Sequence, residues 1–277
     1  ENLNFLNVGS CISVAKNSTV KNVIIYNLKA RNVHSCIVVD RHIRSYVHDW
    51  NIQKLNVTGY YRVAVRISGK YTYNFMLSDL YINGSHSFNN NHCFKGGVQI
   101  YNGAHDISIN HTFIENNIGN CGESYQQGDG IEADNKGGIP YNLTFNNVVV
   151  KNSRDGNFDL KAENVRLSNI ISVGGQETRY SFKLWSYKDY SCLNCQISGQ
   201  FNYYITLISA EVLMKGLIIN NGFFTGSFIK CQTTVGLTPP MLTIIQAKNL
   251  ALMETNGSES CVDNVLISTL EKESIKL

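Results

Sequence analysis

The stretch NLTFNNVVVKN, Asn142 to Asn152, contains two short alternating segments, each bounded by asparagine. Its pattern is asparagine, apolar, any, apolar, any, and the same five positions then repeat before a closing asparagine. Alternation with a period of two is typical of a β-strand. Asparagine tolerates the left-handed backbone conformation that a sharp bend requires. The stretch therefore predicts two short strands joined at a bend at Asn147.

Variants of this two-strand unit recur along the chain. They include NVIIYNLKARN (Asn22 to Asn32), NFMLSDLYING (Asn74 to Gly84), DISINHTFIEN (Asp106 to Asn116), NVRLSNIISVG (Asn164 to Gly174), DYSCLNCQISG (Asp189 to Gly199) and EVLMKGLIINN (Glu211 to Asn221). Successive bends lie between 20 residues (Asn7 to Asn27) and 36 residues (His111 to Asn147) apart. A polar position that recurs at such intervals indicates a solenoid. The predicted bend residues are Asn7, Asn27, Asn56, Asp79, His111, Asn147, Asn169, Asn194 and Gly216.

A third short strand follows most of these units. Examples are GVQIY, GIEAD, NFDLK and SFKLW. Three short strands per coil, repeated about nine times, predict an all-β fold, a right-handed parallel β-helix of nine to ten coils. An antiparallel sandwich is the alternative, but most Asn-Gly pairs fall outside the two-strand units, where hairpin turns would be needed. We expect a single domain over residues 1–277, with coils over 2–230 and C-terminal coils and a cap over 231–277.

With these repeats the chain resembles the pectin-lyase-like β-helix superfamily over about residues 2–230. The resemblance implies coils that carry an internal ladder of asparagines. It also implies a link to carbohydrates, but the superfamily includes polysaccharide lyases, hydrolases, epimerases, viral tailspikes and adhesins. The fold alone does not select among these functions.

Composition excludes several other classes of protein. A net charge of +3 without a basic run argues against nucleic acid as a partner. The most apolar segment is interrupted by Glu211 and Lys215, so no membrane span is expected. Eight cysteines leave the presence of disulfides open, and CLNC (Cys192 to Cys195) favours core packing or a disulfide over a zinc site. Together with sequons, they favour a location that is secreted or on a cell or virion surface; the candidate glycosylation sites are Asn17, Asn83, Asn110, Asn142 and Asn256.

Functional residue types concentrate on the outward face of the third strands. Residues two apart on a strand share a side, so apolar pairs such as Ile131 and Ala133 face inward. Residues of successive coils then form columns on the outside. One predicted column contains Gln99, Glu132, Asp159 and Lys183, and the next contains Arg66, Tyr101, Asp134, Lys161 and Trp185.

Two enzymatic interpretations of this patch are open. In a lyase, Lys161 or Lys183 removes the proton α to a uronate carboxylate, and Glu132, Asp134 and Asp159 hold Ca²⁺. In a hydrolase, Glu132 and Asp159, or Asp134 and Asp159, act as acid and base. Lysines among the acids favour the lyase slightly. The residues expected to contact the polysaccharide are Trp185, Tyr101, Gln99 and Arg66, with both aromatic rings able to stack on sugars.

Non-enzymatic interpretations also remain. The column of Glu132, Asp159 and Lys183 is alternatively a surface charge ladder, in which each pair contributes at most about 1 kcal/mol. The chain is then a rigid adhesin, tailspike or filament-forming glycoprotein. An uncovered N-terminal coil would require a homo-oligomer or an N-terminal capping segment. Two insertions beside the patch, HSFNNNHCFKGG and NNIGNCGESYQQGDG, favour a walled cleft instead.

Overall fold

A computed structural model describes residues 2–39, 45–84, 94–119, 127–185, 189–224, 229–232, 239–246 and 265–268. Within these ranges the chain forms strands and no helix, so the predicted all-β class is confirmed. None of these residues belongs to a helix that could cross a membrane. The strands are β1 (Leu3–Leu6), β2 (Ser10–Ser13), β3 (Thr19–Arg31), β4 (Ser35–Val39), β5 (Tyr46–Thr58), β6 (Val63–Ser68), β7 (Thr72–Ser78), β8 (Tyr81–Asn83), β9 (Phe94–Tyr101), β10 (His105–Glu115), β11 (Gln127–Asp134), β12 (Tyr141–Lys151), β13 (Gly156–Leu160), β14 (Glu163–Gly174), β15 (Tyr180–Trp185), β16 (Tyr190–Phe201), β17 (Tyr203–Ile208), β18 (Glu211–Lys215), β19 (Ile218–Phe224), β20 (Ile229–Gln232), β21 (Met241–Ile245) and β22 (Val265–Ser268).

These strands form two parallel sheets between which the chain alternates. Sheet 1 follows the order β1-β3-β5-β7-β10-β12-β14-β16-β18-β21-β22, with β8 and β19 beside the main path. Sheet 2 follows β2-β4-β6-β9-β11-β13-β15-β17-β20. Each coil contributes to both sheets, which gives a parallel β-solenoid of about ten coils, as predicted.

The bends within sheet 1 explain the repeat in the sequence. Most coils carry the two predicted short strands as one long strand that passes through a left-handed residue, such as Asn147 with a φ of 53° in β12. Left-handed residues also lie five positions to either side, at Asn142 and Asn152. The prediction of Asn56 as a bend was wrong. In β5 the bend is at Lys54, with a φ of 54°, and Asn56 is an exposed strand residue.

The asparagine ladders lie on the outside of the coils. The side-chain amide of Asn164 donates to Asn142 over 2.7 Å, and that of Asn194 donates to Asn169 over 3.2 Å. These pairs are exposed, whereas the resemblance implied an internal ladder. Inside the coil, the amide of the fully buried Asn157 donates to the Ser172 hydroxyl over 2.9 Å. External ladders stabilise the bends because each amide links one coil to the next.

The core of sheet 2 contains the predicted inward residues. Ile131, Phe158, Phe182 and Ile205 are all fully buried and pair in register on successive coils. The rings of Phe158 and Phe182 stack with centroids 5.0 Å apart. Such a stack fixes the register, because a shift of one residue would move every apolar side chain outward. The outward residues between them are therefore aligned from coil to coil.

The cysteines differ in state along the chain. Cys192 and Cys195 form a disulfide on β16, in agreement with one of the two interpretations of CLNC. Cys231 is also disulfide-bonded. Cys11 and Cys36 are free thiols, and Cys36 is fully buried. The structure thus places at least one cross-link within the coils.

Candidate functional site

The predicted outward column lies on three neighbouring strands of sheet 2. Glu132 on β11 pairs with Asp159 on β13, and Asp159 pairs with Lys183 on β15. The three residues therefore lie side by side on neighbouring strands that are about 4.8 Å apart. The column continues to Gln99 on β9, which pairs with Glu132.

Arg66 lies in a different column from the predicted one. Its register partner is Gln99 rather than Tyr101, so it extends the column of Glu132 and Asp159. The Nε and Nη2 atoms of Arg66 donate to Oε1 of Gln99 over 3.0 and 2.6 Å. The predicted alignment of β6 with β9 was shifted by two residues. A shift of two keeps apolar residues on the inward face, so the alternation pattern does not distinguish the two alignments.

Three buried aspartates form the centre of the site. Asp129, Asp155 and Asp159 are 2%, 2% and 3% exposed, and one carboxylate oxygen of each lies within 4.8 Å of the other two. We call them the acid triad. Of the predicted metal ligands, Asp159 belongs to this triad, whereas Glu132 and Asp134 do not. Oxygen ligands at this separation are suited to a hard cation such as Ca²⁺.

The glycines on either side of Asp129 allow its carboxylate to point towards Asp155 and Asp159. A Cβ on Gly130 would lie 2.1 Å from Cγ1 of Val150, and one on Gly128 would lie 1.8 Å from the carbonyl oxygen of Asn117. Both positions therefore require glycine. With Gly130 facing the core, Asp129 faces outward against the simple alternation of β11. The backbone N–H of Gly156 donates to its Oδ1 over 3.0 Å.

Two cations and an indole contact the triad. Nζ of Lys183 lies 2.9 Å from Oδ2 of Asp159 and 3.3 Å from Oδ2 of Asp155. Nη1 of Arg179 lies 3.6 Å from the other oxygen of Asp155. Nε1 of Trp185 donates to Oδ1 of Asp159 over 2.7 Å. The indole thus orients a carboxylate, a role the sequence did not reveal.

Burial dominates the electrostatics of the acids. It raises the pKa of Asp129 well above the usual range, and the nearby carboxylates, Glu132 first, raise it further. Burial also raises the pKa values of Glu132 and Asp159. For Lys183, burial lowers the pKa, but the carboxylates of Asp159 and Asp155 outweigh it, and the pKa ends above the ordinary value. Lys183 is therefore an ammonium ion in this arrangement.

The remaining predicted residues form a second group beside the triad. Nζ of Lys161 lies 3.5 Å from Oδ2 of Asp134 and 4.7 Å from the ring centroid of Trp185. Nε2 of Gln99 donates to Oε2 of Glu132 over 2.8 Å, and Tyr101 hydrogen-bonds to the same carboxylate. All the predicted site residues thus belong to one continuous network.

A cleft of about 870 Å³ opens beside the acid triad, and Asp129 is the triad member that lines it. It extends from Arg62 and Arg66 to Asp134 and Lys161, and Asp129 and Glu132 lie in its wall. Most of the two predicted wall insertions, residues 85–93 and 120–126, lies outside the described residues. The described part alone presents a concave surface several coils long, as a polymer requires.

The sequence missed Asp129 and Asp155 as partners of Asp159. Each is followed by glycine, in GDG and RDG, and these pairs read first as turn signals. The available signal was their repetition: an Asp-Gly pair occurs near the start of the third strand in two successive coils. The backbone N–H of Asp155 donates to the carbonyl oxygen of Gly128 over 2.9 Å, so Asp155 and Asp129 lie side by side on neighbouring coils.

The predicted glycosylation sites differ in accessibility. Asn17 is exposed, whereas the Asn83 amide donates to Glu115 over 2.7 Å and the Asn142 amide donates to Asp106 over 2.8 Å. The Asn110 amide donates to the Ser108 hydroxyl over 2.9 Å. Asn256 lies outside the described residues. The misassigned Asn56 also begins a sequon and is exposed.

Comparison with known proteins gives no relative for this chain. A scan against protein-family models found no match, and a search of curated protein sequences found none either. Functional conclusions therefore depend on the chemistry of the site itself.

Proposed function

We propose that this chain is a cation-dependent lyase that cleaves an acidic, uronate-containing polysaccharide in the cleft, and that the cation is Ca²⁺. The observation that carries the proposal is the acid triad. Three carboxylates that are each at least 97% buried repel one another and lose hydration, and Lys183 and Arg179 bring only two positive charges to them, so a further cation would stabilise the site. Strain of this kind is typical of functional sites.

A surface charge ladder explains the triad less well. In a ladder, opposite charges alternate and remain in water, whereas Glu132 and Asp159 are neighbouring acids and Asp159 is buried. The raised pKa values of both acids add to the contrast. The charge arrangement fits a site for a cation better than a stabilising device.

In a lyase reaction the C5–H bond of a uronate and the C4–O bond break as a C4–C5 double bond forms. The proton passes to a base, and the departing oxygen leaves with the bonding pair and is protonated. A bound Ca²⁺ would neutralise the uronate carboxylate and so acidify the C5 proton. Asp129, Asp155 and Asp159 are the residues that would hold it.

Among the predicted residues, Lys183 is the candidate base that contacts the acid triad directly. It contacts Asp155 and Asp159, and these carboxylates keep it protonated. A base must be neutral, so Lys183 can accept a proton only when their charge is compensated. This requirement links proton transfer to occupancy of the triad. Lys161 is the second candidate, since it lies on the other side of the Trp185 ring.

Arg179 fits the need for a further cation near the reacting centre. Its guanidinium contacts Asp155, and its side chain is 37% exposed, so it is accessible to a ligand beside the triad. A guanidinium remains charged at any relevant pH and can hold a carboxylate or a departing oxygen.

The experiment is a substrate panel. The protein is incubated with uronate polysaccharides in Ca²⁺ or in EDTA, and ultraviolet absorbance reports the unsaturated product. We expect product only with Ca²⁺, and turnover about a hundredfold to ten-thousandfold slower in Lys183→Ala, since general bases contribute about 10²–10⁴ in rate. Lys29→Ala, at an exposed position on β3, is the matched control, and Lys161→Ala tests the second candidate base.

Three outcomes are informative. Equal activity of Lys183→Ala and the wild type would exclude Lys183 as the base. New reducing ends without the unsaturated product would indicate a hydrolase, with Glu132 as the acid. No product and no binding on any substrate would refute the enzymatic proposal and favour a structural β-solenoid.

A further inference from the structure

A group of basic residues lines the cleft on the coils that precede β11. It consists of Arg62, Arg66 and Lys95. The N–H of Gly96 donates to the carbonyl oxygen of Arg62 over 2.9 Å, so Arg62 and Lys95 occupy neighbouring positions on successive coils. Like charges at such positions repel each other. Arg62 directly precedes β6, Arg66 lies on β6, and Lys95 lies on β9, where it pairs with Gly128 on the next coil.

The described residues provide no carboxylate for two of these cations. Ion pairs along the cleft involve Lys136, Lys161 and Lys183, whereas Arg62 and Lys95 form none in this part of the chain. At the acidic end of the cleft, several cations contact carboxylates. Among the described residues, Arg62 and Lys95 at the basic end contact no carboxylate.

Lys95 is the most unusual member of the group. Lys95 is only 3% exposed. Its ammonium donates to the carbonyl oxygen of Gly84 and lies 5.3 Å from the ring centroid of Tyr60. Burial lowers its pKa to about 8. A buried cation without a counter-charge destabilises the folded chain. A bound anion would relieve both this penalty and the repulsion from Arg62.

We propose that Arg62, Lys95 and Arg66 bind one anionic substituent, a carboxylate or a sulfate, of a carbohydrate chain, without the help of a metal ion. Guanidinium groups suit both anions because they donate in pairs, and Gln99 already orients Arg66 for this role. The proposal rests on the proposed function only in taking the ligand to be a carbohydrate. Along sheet 2, Arg66 is three coil steps and Lys95 two coil steps of about 4.8 Å from Asp159, so a ligand that reaches from Arg66 to Asp159 is an oligosaccharide.

The test is calorimetric binding in EDTA, where the acid triad holds no cation and no turnover is needed. The probes are a hexagalacturonate, its fully methyl-esterified form and a chondroitin sulfate hexasaccharide. We expect the wild type to bind at least one acidic probe, more weakly as salt rises. Arg62→Gln and Lys95→Gln should each weaken binding about tenfold, the loss expected for one charge-assisted hydrogen bond. Lys29→Gln, an exposed position on β3, is the control with the same net charge.

The outcomes separate this proposal from the lyase. Preference for the galacturonate assigns a carboxylate, and preference for the sulfated probe assigns a sulfate. Equal binding of the methyl ester, no binding of either acidic probe, or unchanged affinity in both variants would overturn the proposal. Arg62 is exposed, so Arg62→Gln decides the test if Lys95→Gln fails to fold in a thermal melt. Binding without turnover would refute only the lyase, and turnover without an effect of Arg62→Gln would refute only the anion site.

Discussion

Substitution of Lys183 by methionine tests whether the acid triad is charged and buried. Methionine keeps the length of the side chain but removes the ammonium that contacts Asp155 and Asp159 at 3.3 and 2.9 Å. Removing one partner of a buried ion pair costs about 3–5 kcal/mol, because the remaining charge is unpaired. Unfolding entropy for a chain of 277 residues is about 0.6 kcal/mol per kelvin. We therefore expect Tm to fall by about 5–9 °C in EDTA at pH 8.

The assay is thermal unfolding followed by circular dichroism. Lowering the pH to 5 should reduce the deficit of Lys183→Met, because burial raises the pKa of Asp159 and the acid then takes up a proton. Adding Ca²⁺ should raise Tm more in Lys183→Met than in the wild type, because the ion no longer competes with an ammonium. Lys161→Met is the control. Its partner Asp134 keeps Lys136 at 3.8 Å, so the expected loss is about 1 kcal/mol.

Two results would refute this reasoning. Equal, small losses in Lys183→Met and Lys161→Met would mean that the triad does not depend on the ammonium. A large loss that is the same at pH 5 and pH 8, and does not respond to Ca²⁺, would point to lost packing rather than to charge.

The other predictions use the same melts. Asp129→Asn should raise the free energy of unfolding in EDTA at pH 8 by about 1–2 kcal/mol and abolish the Ca²⁺ response. Because burial raises the pKa of Asp129, the folded wild type binds a proton that the unfolded chain has lost, and wild-type stability falls as pH rises above about 4. This fall should flatten in the variant. An unchanged slope would contradict the role of burial. Gly130→Ala should lower stability by about 1–3 kcal/mol through the clash with Val150, whereas Gly9→Ala, where a Cβ meets nothing within 4 Å, should change it little. Asn194→Ala should lower Tm more than Asn194→Gly, because its φ of 55° suits glycine; equal losses would show that the amide ladder matters more than the backbone.

Much of the fold could be predicted because its signals are local and repeated. Alternation around Phe158 and Phe182 identified the inward face, and the bends at Asn147 and Asn169 identified the coil. The error at Asn56 has a physical cause. Lys54 adopts the left-handed conformation although lysine rarely does so. The prediction expected asparagine at the bend and therefore placed it at Asn56, two residues away.

The sequence predicted the outward column of the site but not all the carboxylates of the acid triad. Glu132, Asp159 and Lys183 followed from alternation, which holds while a strand is regular. Asp129 became a neighbour of Asp159 because Gly130 faces the core, an interruption of alternation that depends on packing against Val150. Such three-dimensional contacts leave little trace in a single sequence, and the same is true of the hydrogen bond from Trp185 to Asp159.

The position of the site within the stack has a consequence for how the molecule opens. β11 and β13 are the fifth and sixth of the nine strands of sheet 2, with coils on both sides. In a solenoid each coil is held only by its neighbours, so unfolding starts at the ends and moves inward. The strained carboxylates therefore occupy the part of the molecule that frays last. A protein of this design can lose order at either terminus under heat or proteolysis and still keep its cleft intact.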